Sequence, residues 1–258
     1  MGDLVISAVG ITKKFGSLTA VDNVGMDVRS GEIYGVAGLN GAGKSTLLAI
    51  LAGVMRPDGG TVEYAGKPAN AASAKKRSAV NIRIGYVPQD IALFPDLTVY
   101  DNLKFWALAG SGAKSPDRAA TPPLKEYILS VSETAGLSDR LRQSARSLSG
   151  GMKQRLNIAA ALVADPDILI MDEPTAGLDV KNRRDILNFI NSLAKRAKGG
   201  LAVVCTSHQP GELETISDRL LLLDRGRTIF DGPPANVFSG RYAGYNNIDD
   251  IIYSLGNG

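Results

Sequence analysis

Gly38-Leu39-Asn40-Gly41-Ala42-Gly43-Lys44-Ser45-Thr46 decides how this chain reads. A glycine, four free positions and Gly-Lys-Ser form a phosphate-binding loop when a strand precedes them and a helix follows. Both flanks fit. Glu32 to Ala37 is an apolar run suited to a buried strand, and Ser45 to Ala52 carries Leu47, Leu48, Ile50 and Leu51 at helical spacing before Gly53 and Pro57 stop it. The glycines let successive N–H groups turn toward a phosphate, and the positive end of the helix dipole adds to that field. In this pattern Lys44 bridges the terminal phosphates of a nucleoside triphosphate and the Ser45 hydroxyl is a ligand of Mg²⁺.

Working toward the N-terminus, Leu4 to Val28 alternates loosely around Lys13-Lys14-Phe15-Gly16 and reads as antiparallel strands. Phe15 has two readings, an exposed platform for a nucleotide base or a packed hairpin residue. Thr61-Val62-Glu63-Tyr64 is a strand of the same small sheet. Ala69 to Ala79, with Lys75-Lys76-Arg77, reads as a solvated helix face. Ile82 to Val87 is a strand ending at Pro88-Gln89. Thr98 caps a helix carrying Val99, Leu103 and Trp106 on one stripe, with Trp106 expected in the core. Gly110 to Pro123 is expected to be a mobile loop, and Leu124 to Ala135 a second helix.

Beyond Ser149 the pattern becomes regular: helix Met152 to Ala164, strand Ile168 to Met171, helix Val180 to Lys198, strand Leu201 to Thr206, then strands Arg219 to Asp224 and Arg227 to Phe230. Such repetition predicts a mainly parallel sheet covered on both faces, with ligands at the carboxyl ends of the strands. The phosphate loop, Asp172 and His208 fall at such ends. The tail from Pro233 is expected to pack as a short helix.

Composition narrows the classes. The chain has 258 residues, with 29 Lys+Arg against 26 Asp+Glu, and a net charge of +3 does not argue for nucleic acid. No apolar run approaches the roughly 20 residues needed to cross a bilayer. Cys205, the single cysteine, excludes an intrachain disulfide and lies in an apolar strand, where a buried structural role is expected.

Asp172-Glu173-Pro174-Thr175 follows the strand ending at Met171. An acid there is placed to hold Mg²⁺, a role given to Asp172. The next carboxylate, Glu173, can orient water or take its proton. Just upstream, Leu148-Ser149-Gly150-Gly151-Met152-Lys153-Gln154-Arg155 resembles the signature sequence of the ATP-binding cassette (ABC) ATPases. Taken with the phosphate loop and Asp172-Glu173, the resemblance runs from Leu4 to Gly232. It implies an α/β P-loop NTPase core with a mainly parallel sheet, a small antiparallel β subdomain and an inserted α-helical subdomain. On that pattern residues 1–96 and 156–235 form the core, 97–155 the helical lobe with the signature, and 236–258 a tail, in one ABC ATPase domain.

The resemblance also implies roles. ATP is held by Phe15, Gly38, Asn40, Gly41, Ala42, Gly43, Lys44, Ser45 and Thr46, and Mg²⁺ by Ser45, Gln89 and Asp172. Phe15 stands where the adenine-stacking aromatic is often Tyr, so stacking alone carries over. Hydrolysis falls to Glu173, His208, Gln89 and Lys44. Ser149, Gly150 and Gly151 cover the ATP of a second subunit, and Asp179 of Ala176-Gly177-Leu178-Asp179 lies at the subunit boundary. Each motif occurs once, so a homodimer would complete two hydrolytic sites. The segment from Gln89 to Thr98, Met152 to Arg155 and Ser207-His208-Gln209 look most like bacterial exporter subunits, which work with separate permeases on the cytoplasmic face of the membrane. Phe94 and Leu97 then either dock the permease or pack inside the lobe. A cassette acting in cofactor assembly is the alternative; a GTPase or nucleotide kinase would lack the signature.

Overall fold

The computed structural model describes residues 2–68, 82–110, 123–196, 200–207, 209–239 and 242–256. Residues 69–79, most of the segment between Gly110 and Pro123, and His208, all interpreted above, lie outside the described residues.

Two sheets organise the molecule. The first contains β1 (Leu4–Phe15), β2 (Leu18–Arg29), β4 (Gly59–Tyr64) and β5 (Lys67–Pro68) in the order β2-β1-β4-β5, all antiparallel. Alternation is the cause: Ile6, Ala8, Ile11, Val21, Val24, Met26 and Val28 are buried on one face while Val9 and Leu18 are exposed on the other. The second contains β3 (Ile33–Gly38), β6 (Ile84–Val87), β7 (Ile168–Met171), β8 (Ala202–Thr206), β9 (Arg219–Asp224) and β10 (Arg227–Gly232). Its order is β10-β9-β3-β8-β7-β6, parallel except for β10 on β9.

Every residue of β3, β7 and β8 is buried, as expected for parallel strands covered on both faces. Alternate side chains divide between two cores. Tyr34, Val36, Ile168, Ile170, Ala202, Val204, Leu221 and Leu223 pack with the antiparallel sheet and α1 (Lys44–Leu51). Ile33, Ala37, Leu169, Met171, Val203, Cys205, Leu220 and Leu222 face the other way, toward the remaining helices. These are α2 (Val99–Gly110), α3 (Leu124–Thr134), α4 (Gly150–Leu162), α5 (Val180–Arg196), α6 (Pro210–Ile216) and α7 (Ile248–Gly256).

Most expected elements form within a few residues of their predicted bounds, and the exceptions have physical reasons. Helix α4 begins at Gly150 rather than Met152, because Ser149 caps it by accepting from Met152 N at 3.3 Å. The sequence reading has no counterpart of α6, a short helix of about two turns opened by Pro210 that buries Leu213. Trp106 is only partly buried; the fully buried stripe of α2 is Val99, Leu103 and Ala107. The tail packs as expected, with Val237, Ile248, Ile251 and Ile252 in the core. Cys205 is buried, which pushes its thiol pKa up to about 12 and leaves it unreactive at neutral pH.

Candidate nucleotide site

The loop between β3 and α1 has the backbone that the glycines permit. Gly38, Gly41 and Gly43 have φ of 156°, 81° and 98°. A Cβ on Gly43 would stand 2.1 Å from Ala20 O, and one on Gly41 would meet nothing within 4 Å. Gly43 therefore packs the loop onto β2, whereas Gly41 borders open space. No side chain caps α1, so its first N–H groups remain available to an anion.

Lys44 is buried, and its Nζ donates to Gly38 O at 2.9 Å and Leu39 O at 3.0 Å. Burial lowers its pKa, and the charges of Glu173 and Asp172 oppose that shift. The lysine of one motif thus lies within the field of the carboxylates of another, more than a hundred residues later in the chain.

Sheet register brings the rest together. β8 lies between β3 and β7, and its last residue, Thr206, donates to Asp172 Oδ1 at 2.8 Å while accepting from Glu173 N at 2.8 Å. Glu173 has φ of 52°, unusual for a residue with a side chain, and this hydroxyl holds its N–H in that conformation. On the other side Val87 pairs with Met171, so Gln89 and Glu173, each two residues further on, arrive opposite one another. Gln89 Nε2 donates to Glu173 Oε2 at 2.6 Å.

Two buried asparagines absent from the sequence reading fix the segment after Gln89. Asn157 of α4 accepts from Ala92 N at 3.2 Å. Asn102 of α2 accepts from Phe94 N at 2.9 Å and donates to Phe94 O and Thr98 O, each at 3.0 Å. Thr206, Asn102 and Asn157 carry no local motif; a buried polar residue within a helix or strand was the available signal. Beyond this segment Phe94 meets Phe105 edge-on at 4.6 Å, and Phe105 meets Trp106 at 5.3 Å. Phe94, Leu97 and Phe105 are all exposed at about two-fifths of their surface, between full packing and a free patch.

Phe15 is 48% exposed at the tip of the β1–β2 hairpin, with Lys13 Nζ 5.7 Å from its ring centre. The ring is therefore not the fully packed hairpin residue of the second reading. Ser149 caps α4, and Gly151 is close to α5: a Cβ there would lie 2.4 Å from Asn182 Oδ1. Asn182 Nδ2 in turn donates to Asp179 Oδ2 at 2.6 Å, so the signature turn and the turn containing Asp179 adjoin.

Among the described residues there is no group of three or more His, Cys, Asp or Glu side chains able to hold a metal ion. One buried carboxylate, Asp172, with the exposed Ser45 hydroxyl and the Gln89 amide, is instead a hard-oxygen set that needs further oxygens. Such a set suits Mg²⁺ bound together with phosphate, which retains other oxygen ligands, and not a protein-only metal cage.

A mainly parallel sheet with a glycine loop, a buried lysine and paired carboxylates at neighbouring strand ends defines a nucleoside triphosphatase of the P-loop class. The chain belongs to the ABC transporter family, whose model matches residues 21–176. It is an ATP-binding, ATP-hydrolysing cassette. It is 35% identical over 235 residues to the linearmycin resistance ATP-binding protein LnrL of Bacillus subtilis (strain 168), covering 91% of this chain and 71% of that protein. To the Nod factor export ATP-binding protein I of Paraburkholderia xenovorans (strain LB400) it is 38% identical over 239 residues, covering 93% and 74%. Among solved structures it resembles cbiO1 from Clostridium perfringens, part of the ABC transporter complex cbiONQ, with TM-score 0.79, 26% identity and coverage of 99% and 97%. It also resembles the dimeric post-hydrolysis state of the cassette MJ0796 bound to ADP and Pi, with TM-score 0.72, 27% identity and coverage of 89% and 98%. No helix among the described residues is long and apolar enough to cross a membrane.

Proposed function

We propose that this cassette drives export through separate membrane-spanning subunits, acting as a homodimer on the cytoplasmic face of the membrane. The observation that carries the reading is the 2.6 Å bond from Gln89 to Glu173. It joins the carboxylate assigned to water activation to a segment that leads directly into the partly exposed aromatics Phe94 and Phe105. The names of the two curated relatives, one for export and one for resistance, support the direction.

In this reading residues 1–96 and 156–235 form the core, 97–155 the helical lobe and 236–258 the tail. Phe15 stacks on adenine. Gly38, Asn40, Gly41, Ala42, Gly43, Lys44, Ser45 and Thr46 surround the phosphates, with N–H groups and the Lys44 ammonium neutralising their charge. Ser45, Gln89 and Asp172 hold Mg²⁺, which when bound supplies positive charge at the terminal phosphate oxygens. Glu173 orients the attacking water and takes its proton, His208 contacts the terminal phosphate, and Gln89 positions Glu173. Ser149, Gly150 and Gly151 of one copy close over the ATP of the other across a boundary that includes Asp179. Hydrolysis and product release open that closure, and the aromatic surface near Phe94 passes the movement to the permease.

Glu173→Gln removes the base and keeps the shape, so turnover should fall by about 10²-fold or more while ATP binding persists. The tagged variant, with ATP, is used to capture partners from detergent-solubilised native membranes. Recovery of a polytopic membrane protein in near-equal amount is the expected result. Recovery of the dimer alone, or of soluble assembly proteins, would replace export with a soluble role.

A further inference from the structure

Glu212 of α6 gathers three separate turns of the site onto one carboxylate. Its Oε2 accepts from Thr175 Oγ1 at 2.8 Å and from Ser207 Oγ at 2.7 Å. Its Oε1 is 3.4 Å from Arg183 Nε, and Arg183 Nη2 donates to Leu178 O at 3.1 Å. Only a tenth of the Glu212 side chain is exposed. In sequence Thr175 is two residues after Glu173, Ser207 immediately precedes His208, and Leu178 immediately precedes Asp179.

The arrangement is costly for mere packing. A carboxylate taken from water must recover its hydration through specific partners, and a leucine would fill the same space without that requirement. An ionised carboxylate has about four acceptor positions and no donors, so it can receive two hydroxyls and face a guanidinium at once. Ser207 Oγ also accepts from Gln209 N at 3.0 Å, so the carboxylate is bonded to a hydroxyl that in turn bridges to the residue after His208.

We propose that Glu212 is a positioning residue for ATP hydrolysis. It braces the turn after Glu173, the strand end before His208 and the turn before Asp179 against one another, so that the groups that meet the water and the terminal phosphate keep a common register. The proposal rests on the roles given above to Glu173 and His208. Glu212 itself touches neither nucleotide nor water in this role, and it acts through Thr175, Ser207 and Arg183.

The test measures ATP turnover and, by calorimetry, ATP affinity for the full chain and for Glu212→Ala, Glu212→Gln and Glu173→Gln. A displacement on the order of 1 Å of a catalytic group costs about 10²-fold, so Glu212→Ala should lose roughly ten- to a hundredfold in kcat with affinity within about twofold. Glu212→Gln keeps an oxygen acceptor for both hydroxyls and should recover kcat to within about fivefold of the parent chain. A kcat for Glu212→Ala within about twofold of the parent, or a loss of kcat matched by an equal loss of affinity, overturns the proposal. Should Glu212→Ala fail to fold, the double variant Thr175→Val with Ser207→Ala removes both hydroxyl donors and must show the same fall in kcat at unchanged affinity. Near-parent turnover by Glu173→Gln would instead defeat the reading of the base. An inactive Glu173→Gln beside a fully active Glu212→Ala would defeat the brace alone.

Discussion

At the scale of single residues, the site depends on a hydroxyl that no motif announces. Thr206 satisfies the N–H of Glu173 and donates to Asp172, so it fixes two carboxylates with one oxygen. Thr206→Val keeps the volume and removes both bonds. A buried unsatisfied N–H costs about 1–3 kcal/mol, and urea denaturation should register a loss in that range. Turnover should fall with it, because Glu173 then loses the contact that holds its left-handed backbone. Lys44, Asp172 and Glu173 stood out in the sequence because each belongs to a short pattern with its own chemistry, whereas Gln89 was singled out only by the family resemblance. Thr206 was not, since its meaning depends on which strand lies between β3 and β7. Strand order is a long-range property that adjacent residues do not encode.

At the scale of elements, the β1–β2 hairpin that presents Phe15 is tied to the start of β4. Asp58 N donates to Thr12 O at 2.8 Å, and the Asp58 carboxylate accepts from Lys14 N at 2.7 Å and Lys13 Nζ at 3.0 Å. The Lys14 N–H, followed by Lys13, holds the Asp58 pKa below its ordinary 3.8. The folded chain therefore favours the ionised form. Its stabilising contribution is complete above 3.8 and disappears as the pH falls through the lower folded value. Asp58→Ala should accordingly be less stable than the parent at pH 7, with the gap closing below about pH 4 in a series of urea titrations. The elements themselves were largely readable, because periodicity, the Thr98 cap and the glycine stops are local. Helix α6 was missed because seven residues carry too little periodicity to stand out.

At the scale of the molecule, the two sheets are joined at their edges by arginines. Arg219 of β9 donates to Asp27 O of β2 at 3.0 Å and to both oxygens of Asp231 at 2.8 and 3.0 Å, and it lies 4.9 Å from the centre of the Tyr34 ring. Tyr34 also donates to Asp231 at 2.6 Å, and burial raises its pKa well above the ordinary value. Arg227 of β10 pairs with Asp22 of β2 at 2.8 Å. Arg219→Ala would strip Asp231 of its cation and loosen the junction. Because Arg219 is 29% exposed, solvent offsets part of the loss, and about 1–3 kcal/mol is expected from urea denaturation. A single cooperative transition should persist, since the apolar core between the sheets is untouched.

The asparagine clasps on either side of Phe94 have a mechanical consequence. Asn102 grips the backbone at Phe94 and Thr98 through several hydrogen bonds side by side, and Asn157 grips it again at Ala92. Links arranged in parallel share a load, whereas a slack loop would bend and dissipate it. A push at Phe94 therefore meets backbone held as a stiff strut by two helices, with the bond from Gln89 to Glu173 at its far end.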